Sequence, residues 1–348
     1  MSTRTGAQDQ SEIFNGTASV GFKDTRSVDG TDTRTVPAFV FGEELAELAE
    51  HDPRIVVLTA DLARSNRASD FAARHPDRFV NLGIAEKNMV TVAAGMAASG
   101  LVPFAATFGS FAALLCAEQI RTDCAYPNLP VRVVGHHSGM SMGFYGTSHH
   151  SLEDLAMMRS IADLTLVCAT DAHHLRALLR LSLEHPGAMY LRLGRGRDPQ
   201  VYDEVPDLRL GRAEQVRAGT DLTVIATGST VHPSLEAAEQ LAADGVSVRV
   251  VDMWTVSPLD HAAVAAAARE TGAVLTVEEA NVTGGLGSAV ADSLLDAGLA
   301  VPFRRHGVPD EHVPVGPPAA LYAHYRLDGP GIAAVARELI DVRPRRNA

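Results

Sequence analysis

Ile55-Val56-Val57-Leu58 is a wholly apolar run, preceded by the polar stop His51-Asp52-Pro53. Short unbroken apolar runs mark strands buried on both faces of a parallel sheet. Ahead of it, Ala38–Glu50 carries Leu45, Leu48 and Ala49 at helical spacing, and the residue before Pro53 leaves the helical region, so a helix ends there. The alternation then continues. The pattern predicts a helix around Ser69–Arg74, a strand ending at Asn81, a helix Ala85–Ala98 and a strand Val102–Ala106. A helix Ser110–Cys124, a strand Val131–Val134, a loop to about Ser151 and a strand Leu164–Cys168 follow, then a helix Ala172–Leu183 and a strand Met189–Leu193. Repeated βα units with apolar strands predict an α/β fold with helices on both faces of the sheet.

From Gly194 to Gly219 the pattern lapses into Arg, Asp, Pro and Gly, the composition of a linker. Alternation resumes with strand Leu222–Ala226, helix Val231–Ala243, strand Val246–Val251, helix Leu259–Ala268, strand Ala273–Val277 and helices at Leu286–Ala297 and Ile332–Ile340. The expected organisation is a polar tail over 1–33, a first domain over 34–195, a linker over 196–220 and a second domain over 221–348. Both domains are expected to be doubly wound α/β units, the first with a mostly parallel sheet. The tail is rich in Ser, Thr, Asp and Gly and shows little periodicity.

Composition narrows the function classes. Lys+Arg is 30 against 42 Asp+Glu, a formal charge of −12. A chain this acidic lacks the broad basic footprint of a nucleic-acid or anionic-membrane binder. Met89–Ala117 has no charged residue, but Gly95, Gly100, Pro103 and Gly109 divide it into pieces too short to span a bilayer. The three cysteines, Cys116, Cys124 and Cys168, show no CxxC spacing and sit among apolar residues. They read as buried thiols in a reducing, cytoplasmic setting, and the N-terminus has no secretory pattern.

Three constellations carry candidate chemistry. In Leu82-Gly83-Ile84-Ala85-Glu86, a strand gives way to a helix, so Glu86 sits in the helix's first turn. A glutamate there complements the helix dipole; equally, it lies at the C-terminal rim of a parallel sheet, where α/β ligands bind. Phe108 and Phe111 flank the next strand-to-helix crossing, either as core or as an apolar slot for a flat ring. His136, His137, His149 and His150 bracket a loop containing Gly139, Gly143 and Gly146. Their spacing does not fit a metal site made by this chain alone, whereas imidazoles on a loop suit a polar substrate. There is no GxGxxG, Walker, GxSxG or HExxH motif in a fitting context.

The stretch containing NLGIAEKNM, AATFGSFAALL and GHHSGMSMGFYGTSHHSLED resembles the pyrimidine-binding domain of transketolases, and VRVVDMWTVSPLD with NVTGGLGSAVADSL resembles their C-terminal domain. The resemblance runs from about Ala38 to the end and is strongest to the C-terminal subunit of split, two-chain transketolases. It implies thiamine diphosphate as cofactor, with Mg²⁺ or Ca²⁺ held by a GDG motif. This sequence has no GDG, which implies a separate diphosphate-binding subunit and a heterotetramer of two chains of each kind. The implied reaction is transfer of a two-carbon ketol unit from a ketose, free or phosphorylated, to an aldehyde.

By the same resemblance, Glu86 falls on the glutamate that bonds the aminopyrimidine N1′ and so assists loss of the cofactor's reactive proton. Phe108 and Phe111 fall on ring-lining positions, and Asp61 on a residue at the cofactor and subunit interface. Ser65, His137 and Arg195 fall on sugar or sugar-phosphate contacts, and His149 on a histidine near the reacting hydroxyls. Gly143-Phe144-Tyr145-Gly146 stands where the family has GEDG, so Tyr145 replaces an aspartate that reads a ketose hydroxyl. Ala38, with Arg34 nearby, stands near a family arginine, and Ala280 where split subunits often have histidine. Two other readings share the architecture: the β subunit of a 2-oxo acid dehydrogenase E1, and a non-catalytic partner subunit that kept the fold.

Overall fold

The computed structural model describes residues 40–195 and 198–341. The tail expected over 1–33, together with Arg34 and Ala38, lies outside the described residues.

Twelve strands are present among these residues. The first six are β1 (Ile55–Thr59), β2 (Phe79–Asn81), β3 (Val102–Phe108), β4 (Arg132–His136), β5 (Thr165–Cys168) and β6 (Met189–Arg192). The others are β7 (Glu214–Arg217), β8 (Leu222–Ala226), β9 (Val248–Asp252), β10 (Thr255–Ser257), β11 (Val274–Asn281) and β12 (Phe303–Val308). They form a seven-stranded sheet in the order β10-β5-β6-β4-β3-β1-β2 and a five-stranded sheet in the order β12-β11-β8-β9-β7. Pairing is parallel throughout, except for the edge strands β10 and β7, which are antiparallel. The α/β class is as expected.

Side-chain alternation explains the two layers of helices. Val56 and Leu58 of β1 pack with Met89, Ala93, Cys116 and Ile120 on one face. Ile55 and Val57 pack with Leu45, Phe71, Leu175 and Leu178 on the other. A strand presents successive residues to opposite faces, so a run buried on both sides is mostly apolar with no polar alternation. All five residues of β1 and all seven of β3 are buried.

Several local expectations need correction. The helix expected over Ser110–Cys124 is broken into a π-helical turn Phe111–Leu115, an α-helical turn Cys116–Gln119 and a second π-helical stretch Ile120–Ala125. Each π turn holds an extra residue. The register shift keeps Ala112, Ala113, Cys116, Ile120 and Cys124 in the core and leaves Leu114 and Leu115 exposed. The linker expected over 196–220 contains β7, which pairs with β9 at the edge of the second sheet. It is also pinned to the first domain, because the Asp171 carboxylate accepts from the backbone N–H groups of Val201 and Tyr202 at 2.7 and 2.8 Å. β10 follows β9 in the chain yet pairs with β5 of the first sheet. The helices Asp154–Arg159 and Pro318–His324 and the strand β12 are further elements that hydrophobic periodicity does not reveal.

Candidate active site

β6, β4, β3, β1 and β2 are consecutive neighbours in the large sheet, and the predicted site residues follow their C-terminal ends. Asp61 and Ser65 come after β1, Glu86 after β2, Phe108 ends β3, His137 follows β4, and Arg195 follows β6. Parallel sheets of this kind bind ligands at that rim.

Five of the predicted residues meet in one cleft lined by Ser65, Phe108, His137, Tyr145 and Arg195, with Met142 beside them. Phe108 is its organising ring. The Phe108 centroid lies 5.0 Å from His136, 5.2 Å from His137 and 5.4 Å from His149, and Phe111 lies 5.6 Å from Phe108 and 5.2 Å from His149. Tyr145 leans on His149 with ring centroids 4.9 Å apart. Thus His137 and His149, twelve positions apart in sequence, close on one phenylalanine from the two ends of a single loop. Ser148 Oγ is 2.9 Å from His149 Nδ1, and Arg195 Nη1 donates to the Ser141 carbonyl at 3.2 Å, tying the cleft's guanidinium to the same loop.

Electrostatics favour neutral imidazoles here. Burial lowers the pKa of His137 to about 4, with the Arg195 charge adding to the effect. Burial also pushes His136 well below the ordinary histidine range and lowers His149. At neutral pH these rings exchange hydrogen bonds without carrying charge.

Glu86 does not line this cleft. It opens the helix Glu86–Ala98 and is buried, at 7% exposure. Its charge acts on the Cys116 thiol, and no described residue hydrogen-bonds its carboxylate. Its helix packs against β3 and the π turn Phe111–Leu115, which carry Phe108 and Phe111. A buried acceptor on a helix that packs against the elements carrying these rings fits a flat heteroaromatic group with a ring nitrogen able to hold a proton. Asp61 is exposed, at φ 61°, and its backbone N–H donates to Asn81 Oδ1 at 3.0 Å. The same oxygen accepts from the Gly83 N–H at 3.0 Å, so Asn81 links the Asp61 turn to the turn that leads into Glu86. Among the described residues no group of His, Cys, Asp or Glu is arranged to hold a metal ion.

Sequence reasoning misses two residues of this region. Asn81 is visible only as a polar strand end. Glu279, whose carboxylate reaches the histidine loop, lies in the second domain, and its sole signal is a pair of acids closing an apolar strand, Val274–Val277 before Glu278-Glu279.

Comparison with known proteins identifies both domains. Residues 37–199 match the transketolase pyrimidine-binding domain and residues 211–332 the transketolase C-terminal domain. The chain is 38% identical over 301 residues to one of the subunits of the apulose-4-phosphate transketolase of Phocaeicola vulgatus, covering 86% of this chain and 96% of that one. It is 39% identical over 297 residues to a 6-deoxy-6-sulfo-D-fructose transketolase subunit of a Clostridium species, covering 85% and 92%. A solved structure described as a split gene transketolase in an inactive β4 tetramer superposes with a TM-score of 0.82 at 39% identity, over 88% of this chain and 98% of that one. The chain therefore belongs to the transketolase family, as a C-terminal subunit carrying its pyrimidine-binding and C-terminal domains.

Proposed function

We propose that this chain acts with a separate diphosphate-binding subunit, in a heterotetramer with two chains of each kind, to move a two-carbon ketol unit from a ketose donor to an aldehyde acceptor. The family uses thiamine diphosphate, which when bound supplies the carbon nucleophile for the ketose carbonyl. Its metal, Mg²⁺ or Ca²⁺, belongs to the partner, since this sequence has no GDG motif to hold it.

This chain's own contribution is positional. Glu86 holds a proton at the pyrimidine ring nitrogen, and Phe108 and Phe111 form the apolar wall for that ring. Asp61 stands at the cofactor and subunit boundary. His137 and His149 present neutral imidazoles to the hydroxyls and carbonyl oxygen of the sugar. Ser65 and Arg195 take the sugar's far end. Tyr145 fills the position of an acid that reads hydroxyl configuration, and its phenol changes which ketoses fit. The two named relatives act on ketoses with an anionic end, a phosphate or a sulfonate. Arg195, whose planar fork suits such groups, makes an anionic ketose the favoured donor class. The three buried, free cysteines fit a reducing cytoplasm.

The observation that carries this reading is the meeting of Ser65, Phe108, His137, Tyr145 and Arg195 in one cleft at the sheet's C-terminal rim. The test mixes the purified chain with its candidate partner, thiamine diphosphate and Mg²⁺, and follows ketol transfer from anionic ketoses. Activity is expected only with both chains present. Turnover by this chain alone, or decarboxylation of 2-oxo acids in place of ketol transfer, would overturn the reading.

A further inference from the structure

The loop from His137 to Ser151 is closed at its base by an antiparallel bridge. Gly139 N–H donates to the Ser151 carbonyl at 2.9 Å, and Ser151 N–H donates to the Gly139 carbonyl at 3.0 Å. His137 stands two residues before one end of this bridge and His149 two residues before the other. Whatever fixes the bridge therefore fixes the spacing of the two imidazoles across Phe108.

The group that fixes it comes from the other domain. Glu279, near the end of β11, accepts from the Met140 backbone N–H through Oε1 at 2.5 Å, across 139 residues of sequence. Its Oε2 accepts from Ser229 Oγ at 2.6 Å, and the Tyr322 hydroxyl beside it favours the charged carboxylate. Hydrogen bonds to both oxygens of one buried carboxylate leave it little freedom to turn. The contact is close enough to dictate sequence. Gly139 has φ +65°, and a Cβ there would overlap the Glu279 carboxyl group. The Glu279 main chain joins in, since the buried Arg192 guanidinium bonds its carbonyl at 2.8 Å and the Ser151 carbonyl at 3.1 Å. At the loop's tip, the Gly316 N–H donates to the Gly143 carbonyl at 3.0 Å.

We propose that Glu279 is a positioning residue, through which the C-terminal domain sets the His137–His149 spacing by holding the backbone of Met140. This rests on the reading of the cleft as the ketose site; the anchoring of the loop itself does not. The carboxylate hydrogen-bonds neither His137 nor His149, so its effect passes through the loop.

The test compares Glu279→Met, similar in size but without an acceptor, with Glu279→Gln, which keeps one oxygen for Met140. Amide hydrogen exchange on the full-length chain reads the loop directly. Peptides covering 137–151 should exchange about tenfold faster in E279M, the equivalent of about one lost hydrogen bond, and return close to the parent in E279Q, with β1 and β3 unchanged in both. In the reconstituted enzyme E279M should raise KM for the ketose by a similar factor, with a smaller change in kcat and the same half-saturating thiamine diphosphate. Unchanged loop exchange in E279M, or acceleration spread evenly over both domains, would overturn the proposal. Where E279M does not fold, Ser229→Ala combined with Tyr322→Phe frees the same carboxylate, and unchanged exchange of the loop there overturns it equally. If the loop loosens as expected but the parent enzyme transfers no ketol unit, the functional reading fails and the anchoring stands.

Discussion

His136 and His137 share one hydrogen bond between like atoms, Nδ1 to Nδ1 at 2.7 Å. Both rings are kept neutral by burial, so one of the two Nδ1 atoms carries the hydrogen and the other accepts it. It follows that one Nε2, and only one, bears hydrogen. His136 therefore decides whether His137 meets the cleft as donor or acceptor. Nitrogen-15 NMR of the labelled chain should show two neutral rings of opposite tautomer at pH 7, and two rings of the same tautomer would contradict the pairing. The sign of the pH effect follows from the lowered values. The unfolded chain binds protons between about pH 6.5 and 4 that folded His137 refuses, so stability linked to it is lost as pH falls through that window.

Glu86→Ala should lower ketol transfer by about 10²- to 10⁴-fold, the range for a lost acid–base group. Its thermal stability should change little, because no described residue bonds the carboxylate. Steady-state rates with saturating partner and cofactor make the measurement, and an E86A enzyme at parental rate removes the assigned role.

Arg192 and Asp154 form a buried ion pair, Nε to Oδ2 at 2.8 Å, with side-chain exposures of 4% and 0%. Asp154→Leu strands the guanidinium and should cost about 3–5 kcal/mol in denaturant unfolding. The double substitution Asp154→Leu with Arg192→Met should recover much of that loss, since the penalty lies in the uncompensated charge.

Asp252 is pushed up to about 7 by burial, although Thr170 and Tyr202 donate to it at 2.5 and 2.8 Å. A raised carboxyl binds its proton more tightly when folded. Its share of stability is therefore fully present below about pH 4 and declines as pH rises to about 7. Asp252→Asn should flatten that decline relative to the parent when unfolding is measured at pH 5 and pH 7. An identical slope in both would show that Asp252 keeps an ordinary carboxylate pKa.

The legible part of the fold is the part governed by burial on two sides. β1, β3 and β8 read as largely apolar runs because every residue of each is buried. The rim residues are legible because each motif follows such a run. β10 is not, since Thr255-Val256-Ser257 is three residues long and owes its strand character to β5, a partner about ninety positions away. β12 reads Phe-Arg-Arg-His-Gly-Val and is only partly buried, so it carries no clean period. The π turns after Phe108 are equally silent, because a register shift leaves composition unchanged. Glu279 is out of reach for a different reason: a hydrogen bond to a backbone N–H leaves no trace in the identity of Met140.

The crossing of β10 onto β5 has a consequence for anyone dividing this protein. A fragment ending in the stretch 196–220 would contain every residue of the first domain by sequence, yet it would leave β5 as a bare edge. An uncovered edge strand offers its free N–H and C=O groups to any neighbouring chain. Such a fragment is expected to precipitate or pair with copies of itself; one extended through Ser257 covers β5 but bares β8, whose partner β11 it lacks. Two domains that read as consecutive beads share a strand across their boundary.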